Sequence, residues 1–186
     1  MPPKVRIQKE DIINAAVEIV RQQGMEALNA RNVAAALRCS TQPVFSNFAT
    51  MDDLRLEVVR ASDALCREYI RRETESGLYP AYKSAGMAYI RFARDEKKLF
   101  QLLYMRDRSS EHFPEDDSLT VDMEKEVRDG TGLNAAESQL FHLEMWAFVH
   151  GIASMFATEF LELDWELVSR MLTDAYQGLI KRFEKG

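Results

Sequence analysis

The residues best suited to chemistry lie close together near the start of the chain. Ser40-Thr41-Gln42-Pro43-Val44-Phe45-Ser46-Asn47 is a short run of small hydroxyl and carboxamide side chains broken by two apolar ones. Thr41, Gln42, Ser46 and Asn47 can hydrogen-bond base edges or phosphates without jamming a groove. They are poor residues for a helical core, whereas Val44 and Phe48 are good ones. The other reactive types are scattered. The histidines are His112, His142 and His150, and none has a Glu three residues before it, so the di-iron bundle motif is absent. No Gly-x-Ser-x-Gly, phosphate-loop or dinucleotide fingerprint occurs, which argues against an enzyme. Cys39 and Cys66 are too few for a disulfide framework and match no metal spacing, so no metal or cofactor is expected. Cys39 reads as a small packed residue, and Glu115-Asp116-Asp117 as a solvated loop.

The polar run needs short helices to present it. Helical spacing recurs along the chain, Gly and Pro are scarce at 8 and 5 copies, and no segment alternates with period two, so the fold is all-α. A first helix spans about 9–23 with Ile13, Ala16, Val17 and Val20 on one face, and Gly24 ends it. Asn29 caps a second helix that turns Val33, Ala34 and Leu37 inward. After Arg38-Cys39, Ser40 caps a third helix over 41–47, bonding the N–H of Gln42 because Pro43 lacks a donor. Thr50-Met51-Asp52-Asp53 resembles a capping box and opens a long fourth helix with Leu54, Val58, Ala61, Leu65 and Tyr69 as apolar positions. Further helices are predicted at about 80–94, 97–107, 118–129, 134–161 and 164–184, with 108–117 a loop around Pro114 and Gly130-Thr131-Gly132 a break. Two short helices joined by a tight turn form a helix-turn-helix, whose second helix enters the major groove.

Net charge is −6, which by itself argues against a nucleic-acid partner. Splitting the chain reverses that inference. Residues 1–50 carry six Lys/Arg and four Asp/Glu, for +2, and residues 51–186 carry 18 and 26, for −8. Such asymmetry between halves points towards a nucleic-acid partner. The longest uncharged run, Met145–Thr158, has 14 residues, short of a spanning helix, and residues 1–6 have no signal-type apolar stretch. A reducing cytoplasm is the expected compartment, with no membrane partner.

Residues 8–56 resemble the TetR-type transcriptional regulators in an ordered set: Gln8–Ala16, Gly24–Ala34, Ser40–Phe48 and Asp52-Asp53-Leu54. The resemblance implies a helix-turn-helix DNA-binding domain, residues 1–50, joined by the fourth helix to a helical ligand-binding and dimerisation domain, residues 51–186, with about nine helices. It implies a homodimer that binds double-stranded operator DNA, most often a repressor released by a small-molecule effector. Thr41, Gln42, Phe45, Ser46 and Asn47 match recognition-helix positions, Asn29 and Arg31 the start of the second helix, and Thr50 the start of the fourth. Ser40 and Arg38 complete the expected DNA-binding set. Phe45 stands where the family usually has Tyr, Met51 where Lys is common, and Arg38 where the turn usually has Gly. The first two losses imply weaker phosphate clamping, and Arg38 restores a charge near the duplex. A helical ligand-binding or interaction protein with weakened or lost operator binding is the competing reading.

Trp146-Ala147-Phe148-Val149-His150-Gly151 resembles the Trp-x-x-x-His-Gly signature of one C-terminal domain type of that family. Trp146 and His150 share a helix face. With Phe100, Tyr104, Phe141 and Met145 they form the expected ligand-binding set, and Tyr89, Phe92 and Leu103 are further apolar candidates. Core packing is the alternative for all of them. Ala147, Gly151, Ser154 and Thr158 form a small-residue stripe, and Trp165, Val168, Leu172, Ala175, Leu179 and Phe183 a helical repeat. Gly151, Ser154, Thr158, Val168, Leu172, Ala175 and Leu179 are the expected dimer contacts, with intramolecular packing the alternative.

Overall fold

A computed structural model describes residues 7–106 and 118–183. The predicted loop at 108–117, with His112, Pro114 and the acidic run, lies outside them, as does the residue 1–6 stretch. Among the described residues there are nine α-helices and no strand: α1 Lys9–Gln23, α2 Ala30–Ala36, α3 Gln42–Asn47, α4 Met51–Glu75, α5 Ala81–Asp95, α6 Lys97–Tyr104, α7 Ser118–Thr131, α8 Ala135–Ala157 and α9 Trp165–Phe183. The chain divides into two compact units. One holds residues 7–66 and 96–106, the other 67–95 and 118–183. Helix α4 contributes residues to both.

In the first unit, the Gln8 N–H donates to Asp11 Oδ2 at 2.8 Å to start α1, and Gly24 ends it at φ +88. That left-handed backbone is what favours glycine, since the only close neighbour a Cβ would meet is the movable end of the Glu26 side chain. The buried face of α1 is Ile12, Ala16, Ile19 and Val20, not the predicted Ile13, Ala16, Val17 and Val20. Both stripes are apolar, and packing against α2, the 3-10 turn Met25–Ala27 and α6 selects the first. Helix α6 buries Leu99, Phe100, Leu102 and Leu103 in this unit.

Asn29 caps α2 as predicted, its Oδ1 accepting the Asn32 N–H at 3.0 Å. At the other end, the Cys39 N–H reaches the Ala34 carbonyl at 2.9 Å and the Arg38 N–H reaches Ala35 at 3.1 Å. This is a Schellman closure, with Arg38 at its left-handed position, φ +54. The predicted Ser40 cap is not formed. Thr41 is already in the right-handed helical region and its carbonyl takes the Val44 and Phe45 N–H groups, so the helix proper begins at Gln42 without a side-chain cap. The box that opens α4 is reciprocal: the Thr50 N–H donates to Asp53 Oδ2 at 2.8 Å and the Asp53 N–H to Thr50 Oγ1 at 3.2 Å.

In the second unit, α5 and α8 are the principal pair, flanked by α7 and α9. A full capping box, Asn134 with Glu137, starts α8 at 2.9 and 3.0 Å. Asp164 Oδ1 accepts the Glu166 and Leu167 N–H groups to start α9. Helix α5 buries most of its length, from Ser84 to Ala93. Gly86 allows close approach there: a Cβ would lie 3.0 Å from Leu172 Cδ2 and 3.4 Å from Val149 Cγ2. Helix α8 is, by length and composition, long and apolar enough to cross a membrane, beyond what the 14-residue run suggested. Its inner face, with Phe141, Met145, Val149 and Phe156, is buried in the bundle, and Glu137, His142, Glu144 and His150 interrupt it.

Candidate nucleic-acid interface and effector site

Helix α3 is anchored from one side only. Val44 and Phe48 are 1% and 3% exposed, which leaves Gln42, Phe45, Ser46 and Asn47 facing solvent. Phe45 is 54% exposed, unusual for an aromatic in a packed unit. The Ser46 hydroxyl donates to the Gln42 carbonyl at 2.9 Å, and Asn47 Nδ2 donates to the Pro43 carbonyl at 2.8 Å. The Ser46 oxygen remains an acceptor, and Asn47 keeps its Oδ1 and a second N–H. Thr41 is partly buried and Ser40 exposed. Asn29 and Thr50, expected DNA contacts, are engaged as helix caps, which holds the starts of α2 and α4 in place.

The cations of this unit differ in availability. Arg21 is paired to Glu18 and Glu96 at 2.7 Å each, and its hydrogen bond holds the Glu18 carboxyl below its usual pKa. Lys9 pairs with Glu57 at 2.9 Å and lies over the Phe48 ring. Arg31 and Arg38 are exposed and make no ion pair among the described residues. Both can meet a phosphate without breaking an existing bond.

The six expected effector residues fall into both units. Phe100 and Tyr104 belong to the first: Phe100 is fully buried against the Tyr104 ring, and the Tyr104 hydroxyl donates to Cys66 Sγ at 3.5 Å. Phe141, Met145, Trp146 and His150 lie on α8 in the second, on two sides of the helix. Phe141 and Met145 form a buried cluster with Val127, against which Tyr82, Tyr176 and Phe183 pack. Trp146 is 44% exposed and stacks on the His150 ring, centroids 5.0 Å apart and planes 20° from parallel. His150 Nδ1 meets the Tyr89 hydroxyl at 2.9 Å. One level along the same α5–α8 seam, the Tyr82 hydroxyl meets His142 Nδ1 at 3.0 Å. Burial lowers both histidine pKa values, opposed at His142 by Glu124, and burial raises those of Tyr82 and Tyr176. The tautomer of His150 sets which partner donates in that bond, and a neutral ring has one N–H donor and one acceptor nitrogen. The sequence flagged Tyr89 only as apolar lining, because a hydrogen bond between residues 61 apart has no local signature.

The expected dimer contacts also divide. Val168 and Leu172 are 0% and 3% exposed within the second unit, so they pack its own core. Ala175 and Leu179 pack against the Phe141 cluster. The reason is geometric: the repeat on α9 is the face it turns to α5 and α8. Gly151 and Ser154 are part-exposed, and Thr158 is exposed at the end of α8, its hydroxyl returned to the Ser154 carbonyl at 2.7 Å. They continue along the outer side of α8 from Leu140, Leu143 and Ala147, all exposed.

An all-α chain with this helix-turn-helix and a separate helical bundle has the architecture of helical transcriptional regulators. The family model described as tetracyclin repressor-like, C-terminal domain, matches residues 82–175, half of the chain. The chain belongs to this TetR-like family of regulators. Among solved structures, a TetR-like transcriptional regulator from Rhodococcus sp. RHA1 aligns over 100% of this chain and 99% of its own, at 17% identity and TM-score 0.67. The multidrug binding protein EbrR complexed with malachite green aligns over 93% and 98%, at 19% identity and TM-score 0.60. A TetR family member from Streptomyces coelicolor A3 aligns over 90% and 96%, at 19% identity and TM-score 0.59. At these identities the likenesses show the fold. No curated protein matches the chain.

Proposed function

We infer that this protein is a ligand-responsive cytoplasmic repressor that binds operator DNA as a homodimer. The observation that carries the reading is α3: two buried apolar anchors hold it while Gln42, Phe45, Ser46 and Asn47 stand exposed, and Arg31 and Arg38 of the same unit are exposed with no ion pair among the described residues. A helix held this way can enter a major groove without repacking its domain. Residues 1–50 act as the reading head and residues 51–186 as the sensing and dimerising part.

The outer side of α8 is the proposed dimer surface. It places Leu140, Leu143, Ala147, Gly151 and Ser154 where a surface helix would ordinarily be charged. The stacked Trp146–His150 pair with Tyr89 is the proposed effector contact, in the Trp-x-x-x-His-Gly manner. The multidrug binding relative, with malachite green bound, lends support to a small aromatic effector. The effector acts by population shift. It favours a state with unsuitable recognition-helix spacing, and only by its differential affinity for the two states.

A gel shift with the DNA flanking the gene tests the reading, and selective retardation of that duplex, reversed by an effector, is the expected result. Failure to bind any duplex selectively at low salt sinks it. Phe45 and Met51, which bring neither hydroxyl nor charge to the backbone, favour the second reading in that event: a helical ligand-binding protein without operator binding.

A further inference from the structure

Helix α3 carries no lysine or arginine: its six residues are Gln42-Pro43-Val44-Phe45-Ser46-Asn47. The commonest specific contact to DNA, a cationic side chain on guanine O6 and N7, is therefore not available from this helix. Gln42, Phe45 and Ser46 share its outer face by i, i+3, i+4 spacing, opposite buried Val44. A carboxamide pairs with adenine N6 and N7, and an exposed aromatic edge matches the thymine methyl group. The Ser46 hydroxyl has given its one donor to the Gln42 carbonyl, so it offers an acceptor oxygen, whereas Asn47 spends one of its two N–H donors on the Pro43 carbonyl and keeps the other beside Oδ1. Acceptors complement the exocyclic amino groups of adenine or cytosine, not guanine's major-groove edge.

Resting on the operator-binding reading, we propose that Gln42 and Phe45 determine specificity for an A·T-centred half-site, Gln42 reading adenine and Phe45 a thymine methyl. Helix α3 is about 9 Å long, so it covers about three base pairs of each half-site. Phe45 thus has a use for its exposed ring that a tyrosine hydroxyl directed at phosphate would not have. The trade is affinity from the backbone for an apolar contact in the groove.

The test uses the full-length protein and a library of random duplexes selected at low salt. Positions whose base preference relaxes in Phe45→Ala and Gln42→Ala identify the base pairs each side chain faces. Thymine at the Phe45 position is then replaced by uracil, which deletes only the methyl and leaves the protein untouched. The expected loss is about four-fold per half-site in the wild type, the value of one buried methyl-sized group. Phe45→Ala is expected to be indifferent to the same change. Replacing the A·T pair at the Gln42 position by G·C is expected to cost roughly five- to 150-fold. Selected half-sites with G·C at these positions, or an unchanged affinity on uracil substitution, overturn the assignment while leaving operator binding intact. A library from which nothing is enriched overturns both.

Discussion

Arg38 offers a prediction in which stability and DNA binding move in opposite directions. Its φ of +54 places it in the left-handed region, and the two hydrogen bonds that close α2, Cys39 to Ala34 and Arg38 to Ala35, require it to stay there. For an L-residue with a long side chain that conformation costs about 1–2 kcal/mol. Glycine is free of this cost but gains more entropy in the unfolded chain, worth about 0.5–1 kcal/mol against it. Arg38→Gly should therefore stabilise the protein by about 0.5–1 kcal/mol, raising Tm by about 1–4 °C for a chain of this length. The exposed guanidinium makes no ion pair among the described residues that would offset the gain. The same variant loses one cation per subunit facing the duplex. The slope of log K against log salt should become shallower by about 1.8 for the dimer, or 0.9 per lost phosphate contact. Thermal unfolding and a salt titration of operator binding measure the two effects. Arg38→Ala, which keeps the strain, should stay within about 0.5 kcal/mol of the parent. An Arg38→Gly protein that melts below the parent, beside an Arg38→Ala protein that melts above it, would refute the strain argument.

Other outcomes follow from the same geometry. Gly86→Ala places a methyl 3.0 Å from Leu172 Cδ2 between α5 and α9, and should destabilise by about 1–3 kcal/mol in urea unfolding. Met51→Lys adds a cation at the start of α4 and should steepen the salt slope of duplex binding by about 1.8 per dimer; an unchanged slope places residue 51 away from the backbone. Burial lowers the folded-state pKa of His142 and His150 below the ordinary 6.5, so the unfolded chain binds protons first. Their contribution is fully present above pH 6.5 and is lost as pH falls from there through the folded values. Urea midpoints between pH 8 and 5.5 should decline on the acid side, and His142→Gln should flatten that decline.

What the chain's local order specified, the residues alone could reveal. The caps at Asn29, Thr50 with Asp53 and Asn134 with Glu137 each close over three residues, so side-chain type and spacing suffice to place them. Helix α3 and its polar face were legible for the same reason, since a six-residue helix with two apolar positions has one way to anchor itself. Arg38 at a position usually held by glycine already marked the turn, although its left-handed backbone needed coordinates. Tertiary structure decided wherever a helix has more than one apolar stripe. Ile12 and Ile19 rather than Ile13 and Val17 are buried because α6, nearly eighty residues along, joins the same unit as α1. Leu172 went to the bundle core, where α5 comes close to it at Gly86, and Val168 one turn away is buried with it, while the outer side of α8 carries the exposed Leu140 and Leu143. Tyr89 and His150 meet only because α5 and α8 pack side by side. Periodicity tells which residues of a helix lie together, but which stripe faces inward depends on neighbours that the chain brings from far away.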